Sequence, residues 1–259
     1  MLSLYNRFPA YVMDKFDSYV LIKFVPTLER LNYFLDGKMY MNSPVSFHDE
    51  MMGEGRCDRL EGATIYVNGS TPTSFPKVEF HQKDGEVYTI IRELKEKPED
   101  YTQPHFILWP NEPKQKNVFS MYTLWLNNTK KNFCEINKDM IQQFGAYGVL
   151  ITNTYEFYNR VGKALLNHPE IRRAECGFVE YIPEEASTGI IDINPFIKFS
   201  KGYNHQNEFR FCFDKGEEGI LEFELNSTIR DIAFPIKVDN FLQTLTYKND
   251  NTIVFEYMT

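Results

Sequence analysis

The sequence predicts an α+β domain in which strands outnumber helices, and three observations lead there. Phenylalanine and tyrosine are abundant, 22 and 16 of 259 residues, and they recur with β-branched residues in short runs. Only three segments, within 27–35, 138–144 and 153–166, read as helices. Finally, the chain shows no internal repeat and no flexible Gly/Ser linker, so a single domain spanning 1–259 is expected; at 42% hydrophobic residues it can bury a substantial core.

The elements follow in order. Tyr19–Val25 is a compact first strand. Thr27–Leu35 spaces Leu28, Leu31, Phe34 and Leu35 as a helix does, and Gly37 terminates it. Lys38–Asn42 is a second strand. Ser43–Gly62 lacks either periodicity and holds three glycines, so it reads as a long loop of the kind that carries function. Ala63–Val67 resumes strand character, and Lys77–His81 with Glu86–Ile91 flank Gln82-Lys83-Asp84-Gly85, a hairpin turn whose Asp-Gly accepts positive backbone angles. Between Lys95 and Lys116 the composition turns to Pro, Glu, Asp, Gln and Lys around Phe106–Trp109, which marks an insertion. Asn117–Trp125 reads as a buried strand and Lys138–Phe144 as a short helix. Tyr147–Thr152 is another strand, and Asn153–Leu166 a helix with Tyr155, Tyr158, Val161 and Leu165 along one side. Strands at Ala174–Ile182, Asn207–Asp214, Ile220–Leu225, Ile229–Phe234 and Thr252–Tyr257 complete the chain.

Composition narrows the functional classes. Lysine and arginine total 28 against 36 acidic residues, a net charge of −8, which argues against general nucleic-acid binding through phosphates. The N-terminus lacks a basic start followed by an apolar core, and no apolar run approaches the roughly 20 residues that span a bilayer, so a cytoplasmic protein without membrane attachment is expected. Cys57, Cys134, Cys176 and Cys212 form no C-x-x-C pair, and the five histidines have no ligand spacing, so no metal is expected. Signatures of nucleophile-elbow hydrolases, P-loop enzymes, zinc proteases and dinucleotide-binding βαβ units are all missing from the sequence.

One stretch remains, YNHQNEFRFCF at 203–213. In a strand, residues two apart share a face, so Gln206 and Glu208 would project together. A carboxylate beside an anomeric carbon stabilises the positive charge that develops as a glycosidic bond breaks, and a nearby glutamine can orient the attacking group. Gln206-Asn207-Glu208, at the start of an aromatic strand, resembles the Gln-x-Glu motif of mono-ADP-ribosyltransferases. The order VLIKF, helix, GKMYMNSPVSFHDE and QNEFRF is also similar to uncharacterised bacterial and phage proteins suspected of that fold.

The resemblance implies an ADP-ribosyltransferase-like fold of mixed and antiparallel sheets with peripheral helices. It implies NAD as substrate without a metal, cleavage of the nicotinamide–ribose bond, and transfer of ADP-ribose to an unknown macromolecular acceptor. Glu208 would engage the ribose and Gln206 the acceptor. Lys23 stands where the family has a first-strand Arg or His, and Ser43 and Ser46, interrupted by Pro44, stand where it has Ser-Thr-Ser. Arg59 would meet the pyrophosphate and Tyr203 a ring of the ligand.

Each residue also has a plainer reading. Gln206, Glu208 and Arg210 can be one solvated polar face, Lys23 the outward residue of its strand, and Arg56, Asp58, Arg59 and Glu61 a solvated charge run. The corresponding alternative is a non-catalytic phage or mobile-element protein that binds and inhibits a host macromolecule, through an acidic face or the 95–116 insertion.

Overall fold

A nearly continuous apolar run, Val20–Ile22 with Phe24 and Val25, draws the first strand into the middle of a sheet, and the rest of the fold is arranged around it. The computed structural model describes residues 18–48, 58, 61, 65–68, 78–81, 87–90, 105–108, 115–126, 138–182, 190–192, 194–199, 202–237, 245–248 and 252–255. In chain order the elements are β1 (Ser18–Val25), α1 (Leu28–Leu35), β2 (Lys38–Met41), β3 (Ile65–Asn68), β4 (Val78–His81), β5 (Val87–Ile90), β6 (His105–Leu108), β7 (Lys116–Leu126), α2 (Lys138–Phe144), β8 (Tyr147–Ile151), α3 (Thr154–Leu165), β9 (Arg173–Phe178), β10 (Glu180–Ile182), β11 (Ile190–Asp192), β12 (Ile197–Phe199), β13 (Glu208–Asp214), β14 (Leu221–Glu224), β15 (Ala233–Lys237), β16 (Leu245–Lys248) and β17 (Thr252–Phe255). The protein is α+β and strand-rich, with predominantly antiparallel pairing.

The principal sheet has six antiparallel strands in the order β15-β8-β1-β7-β13-β9. Its two faces carry different cores. On one, Leu21 and Val25 of β1, Phe119 and Met121 of β7, and Phe209, Phe211 and Phe213 of β13 pack with α1 and α3. On the other, Val20, Ile22, Phe24, Tyr122, Leu124 and Leu150 pack with Met140 of α2. The first face is an aromatic lattice, in which Phe157 of α3 meets Phe211 edge to face at 5.7 Å and Tyr158 stacks on Phe209 at 5.5 Å.

Local chemistry sets the helix limits. Thr27 caps α1 by accepting a hydrogen bond from the Arg30 amide, and Asn153 caps α3 by accepting from the Glu156 amide. Gly37 ends α1 at φ +90°, where a Cβ would lie 2.4 Å from the Ser227 carbonyl oxygen. The inward side of α3 is Phe157, Val161, Ala164 and Leu165, whereas Tyr155, expected on that side, is 67% exposed. The Asn153 cap starts the helix so that Phe157 and Val161, four residues apart, share the buried face.

Other boundaries moved for similar reasons. The expected strand Ala174–Ile182 is divided between β9, in the principal sheet, and β10, which pairs in parallel with β12. Ile229 and Ile232, read as strand, are buried turn residues preceding β15. The hairpin β4–β5 forms with His81 opposite Val87; its turn lies outside the described residues, as does most of the 95–116 segment. Among the described residues no helix is long and apolar enough to cross a membrane.

The feature that positions the site is a fork. Strand β1 pairs with β7 only as far as Ile22 opposite Tyr122, yet it remains paired with β8 through Val25. Strand β7 continues alone on that edge until Asn42, just past β2, takes its place: the Val118 amide donates to the Asn42 carbonyl at 2.8 Å. Asn117 reinforces the second branch, donating from Nδ2 to the carbonyls of Met41 and Gly219. A cleft opens between β1 and the β2 branch, with β7 common to both.

Candidate functional site

The fork encloses about 340 Å³, the scale of a small-molecule site. Its walls come from Lys23–Val25 of β1, Arg30, Tyr33 and Phe34 of α1, Lys38 and Tyr40 of β2, Val118–Tyr122 of β7, and Met140 and Phe144 of α2, with Asn42 and Phe47. Glu61, Lys198, Gln206, Glu208 and Arg210 complete the lining as a buried polar wall.

That wall is built from strand alternation. β13 is paired on both edges, by β7 and β9, and is buried on both faces; Phe209, Phe211 and Phe213 take one face, leaving Glu208 and Arg210 on the other. Lys198 comes from β12, between Ile197 and Phe199, and Glu61 comes from the segment after β2. Asp58, Glu61, Lys198, Gln206, Glu208 and Arg210 are each no more than 8% exposed.

Their contacts form one network. Arg210 grips Glu61 through both terminal nitrogens at 2.6 and 2.9 Å, donates from Nε to Glu208 Oε2 at 2.8 Å, and donates from Nη1 to the Pro195 carbonyl at 2.6 Å. Lys198 Nζ donates to Glu208 Oε1 at 2.7 Å and to Gln206 Oε1 at 3.0 Å, and lies 3.7 Å from Glu61 and 3.9 Å from Asp58. Among the described residues, three carboxylates and two cations thus meet in this network. Buried charges persist only when paired and hydrogen-bonded in this way.

Burial pushes the Glu208 carboxyl up, but Arg210 and Lys198 outweigh it and hold the group well below the usual carboxylate range. Glu208 is therefore a permanent carboxylate, suited to stabilising positive charge and unsuited to donating a proton. The Glu208 amide donates to the Tyr181 hydroxyl at 3.1 Å, and burial together with the Glu208 charge raises that phenol's pKa. At the fork itself, Lys23 Nζ donates to the Ser120 carbonyl at 2.7 Å and sits 4.0 Å from the centre of the Phe119 ring.

The residues singled out from sequence are distributed as follows. Lys23, Gln206 and Glu208 all line the cleft. Gln206 is there by a different route from the one expected. It ends a 3-10 turn, Asn204–Gln206, and Asn207 adopts a left-handed backbone (φ 40°, ψ 51°), so β13 begins only at Glu208. The turn, rather than strand alternation, aims Gln206 at Lys198. Asparagine tolerates that conformation better than most residues, and the Asn207 carbonyl is fixed by the Thr123 amide at 2.8 Å.

Tyr203 lies outside the lining, with Lys198 Nζ 4.9 Å from its ring centre. Ser43 and Ser46 also lie outside it; the Ser46 hydroxyl donates to the Ser43 carbonyl in the 3-10 turn Pro44–His48. Arg59 lies outside the described residues. The solvated readings of Glu208, Arg210, Asp58 and Glu61 are overturned, since all four are buried. Covering of the β13 polar face by the Glu61 and Pro195–Phe199 segments is the physical reason.

Lys198 was missed by sequence reasoning, although a lysine flanked by Ile197 and Phe199 in a short apolar run is a signal for a buried cation seeking acids. Among the described residues no group of His, Cys, Asp and Glu has metal-holding geometry. No protein-family model matches the chain, and neither a curated protein nor a solved structure shows significant similarity to it.

Proposed function

We propose that the protein is an ADP-ribosyltransferase-like enzyme that binds NAD in the forked cleft and breaks its nicotinamide–ribose bond. One observation carries the reading: Glu208, Gln206 and Lys23, nominated from three positions in sequence, line a single cleft. As the C1′–N bond breaks, its electron pair leaves with nicotinamide and positive charge develops on the ribose. The permanently ionised Glu208 stabilises that charge without taking up or releasing a proton. The acceptor's lone pair then forms the new bond to C1′, and its proton passes to solvent. Gln206, whose Oε1 accepts from Lys198, is the residue that orients the acceptor. The reading takes the cytoplasm as the place of action, a macromolecule as acceptor and no metal.

The test is nicotinamide release from NAD by the full chain. Glu208→Gln is expected to lower it about 10²–10³-fold, the usual effect of removing one electrostatic stabiliser, while Gln206→Ala lowers transfer more than hydrolysis. Circular dichroism and NAD binding establish that the variants are folded. Unchanged release by Glu208→Gln, or a wild type that neither binds nor cleaves NAD, refutes the proposal.

A second reading is favoured by the pairing of both Glu208 oxygens, one with Lys198 and one with Arg210. In it the cluster is a structural brace for a non-catalytic protein that binds and inhibits a host macromolecule. It expects stoichiometric capture of a partner that survives Glu208→Gln.

A further inference from the structure

We infer that the exposed end of the cleft is a phosphate subsite formed by Arg30 and Lys38, continued inward by Lys23, and that its ligand is a nucleoside diphosphate moiety. The inference deepens the transferase reading and rests on it for the nucleoside; the phosphate half rests on charge and geometry.

The chain carries a net charge of −8, yet five basic and two acidic side chains line this cleft. Both acids, Glu61 and Glu208, are engaged by Arg210 and Lys198 in the buried network. Lys23 donates to the Ser120 carbonyl at the inner end, and Arg30 and Lys38 lie outside the network. An acidic protein that gathers basic residues in one concavity creates a local field that favours anions.

Each of the three is steadied by a ring. Lys23 Nζ is 4.0 Å from the Phe119 centre, the Arg30 guanidinium carbon 5.1 Å from that of Tyr40, and Lys38 Nζ 5.7 Å from that of Tyr33. Such contacts narrow the rotamers of long cationic side chains, so less freedom is lost when a ligand orders them. Arginine offers a planar fork for phosphate oxygens and lysine a point charge, a combination suited to two linked phosphates more than to one carboxylate.

The neighbouring acids leave Arg30 and Lys38 available. Glu222 and Glu224 lie opposite Tyr40 and Lys38 across β14, outside the lining, and burial with the nearby Glu222 charge raises the Tyr33 pKa. Among the described residues no carboxylate lies within ion-pair distance of Arg30 or Lys38.

Calorimetric titration of the full chain with ADP and with adenosine tests the subsite. ADP is expected to bind more tightly than adenosine and to weaken as salt is raised. The double variant Arg30→Gln/Lys38→Gln should lose about 10- to 100-fold in ADP affinity with adenosine affinity unchanged, and Arg30→Lys should restore only part of it. Both residues are exposed, so the variants are expected to fold; matching thermal midpoints check this. Equal affinities for ADP and adenosine, wild-type ADP affinity in the double variant, or no ADP binding each overturn the subsite. Nicotinamide release separates the two proposals: ADP binding without NAD cleavage removes the transferase and leaves the subsite, whereas NAD cleavage with an unaltered KM in the double variant removes the subsite alone.

Discussion

Arg210→Met isolates the contribution of the buried cluster. The substitution keeps an apolar stem but removes four hydrogen bonds, two to Glu61, one to Glu208 and one to the Pro195 carbonyl. Glu208 keeps Lys198, and the cluster loses one positive charge. Removing one partner of a buried ion pair costs about 3–5 kcal/mol, because the surviving charge is left uncompensated. At this chain length each kcal/mol lowers the melting temperature by about 2 °C, so a fall of roughly 6–10 °C is expected at pH 7.

The pH dependence gives an independent check. In the wild type the folded pKa of Glu208 is depressed, so its stabilisation is present above the unfolded value, about 4.3, and is lost as pH falls through the folded one. In the variant, burial acts on Glu208 with less opposition and pushes its carboxyl up. A group with a raised pKa weakens the fold as pH rises through that pKa, so the deficit should be smaller at pH 5 than at pH 7. Urea titrations at both pH values measure it. A loss below about 1 kcal/mol at pH 7, or a deficit that does not shrink at pH 5, would refute the reasoning.

Two further outcomes follow from local geometry. Gly37→Ala places a Cβ against the Ser227 carbonyl at φ +90°, so it should destabilise by at least about 2 kcal/mol, measured as a lower urea midpoint; a neutral effect would mean that the α1 turn can rearrange. Burial pushes the thiols of Cys176 and Cys212 up to about 12. Peptide-mapped alkylation at pH 7.5 should therefore label both at least about 100-fold more slowly in the native chain than in urea, and comparable rates would contradict their burial.

The α+β class was legible because aromatic and β-branched runs alternate with few helical windows. β7, β8, β13 and the three helices among the described residues lie within a residue or two of where periodicity puts them. Legibility failed where side chains answer to partners distant in sequence. Arg210 sits in an alternating strand, and alternation alone assigns its face to solvent; only the return of the Glu61 and Lys198 segments converts that face into a second interior. Gln206 shows the converse, since its placement depends on one left-handed asparagine that strand alternation does not foresee. The fork was hidden for the same reason: nothing local in Tyr19–Val25 says that one neighbour departs after Ile22 while the other stays.

The Arg210–Glu61 pair joins residues separated by 149 positions, which has a consequence for biosynthesis. At translation rates of about 5–20 residues per second, Glu61 leaves the ribosome some 7–30 s before Arg210 exists to meet it. During that interval α1, β1 and β2 can form, but the acids of the polar wall have neither of their cations, since Lys198 is also still to be made. Closure of the wall is therefore a late event of high contact order, and a nascent chain released before β13 would carry the basic residues of the cleft without the Glu208 carboxylate and its Arg210 partner.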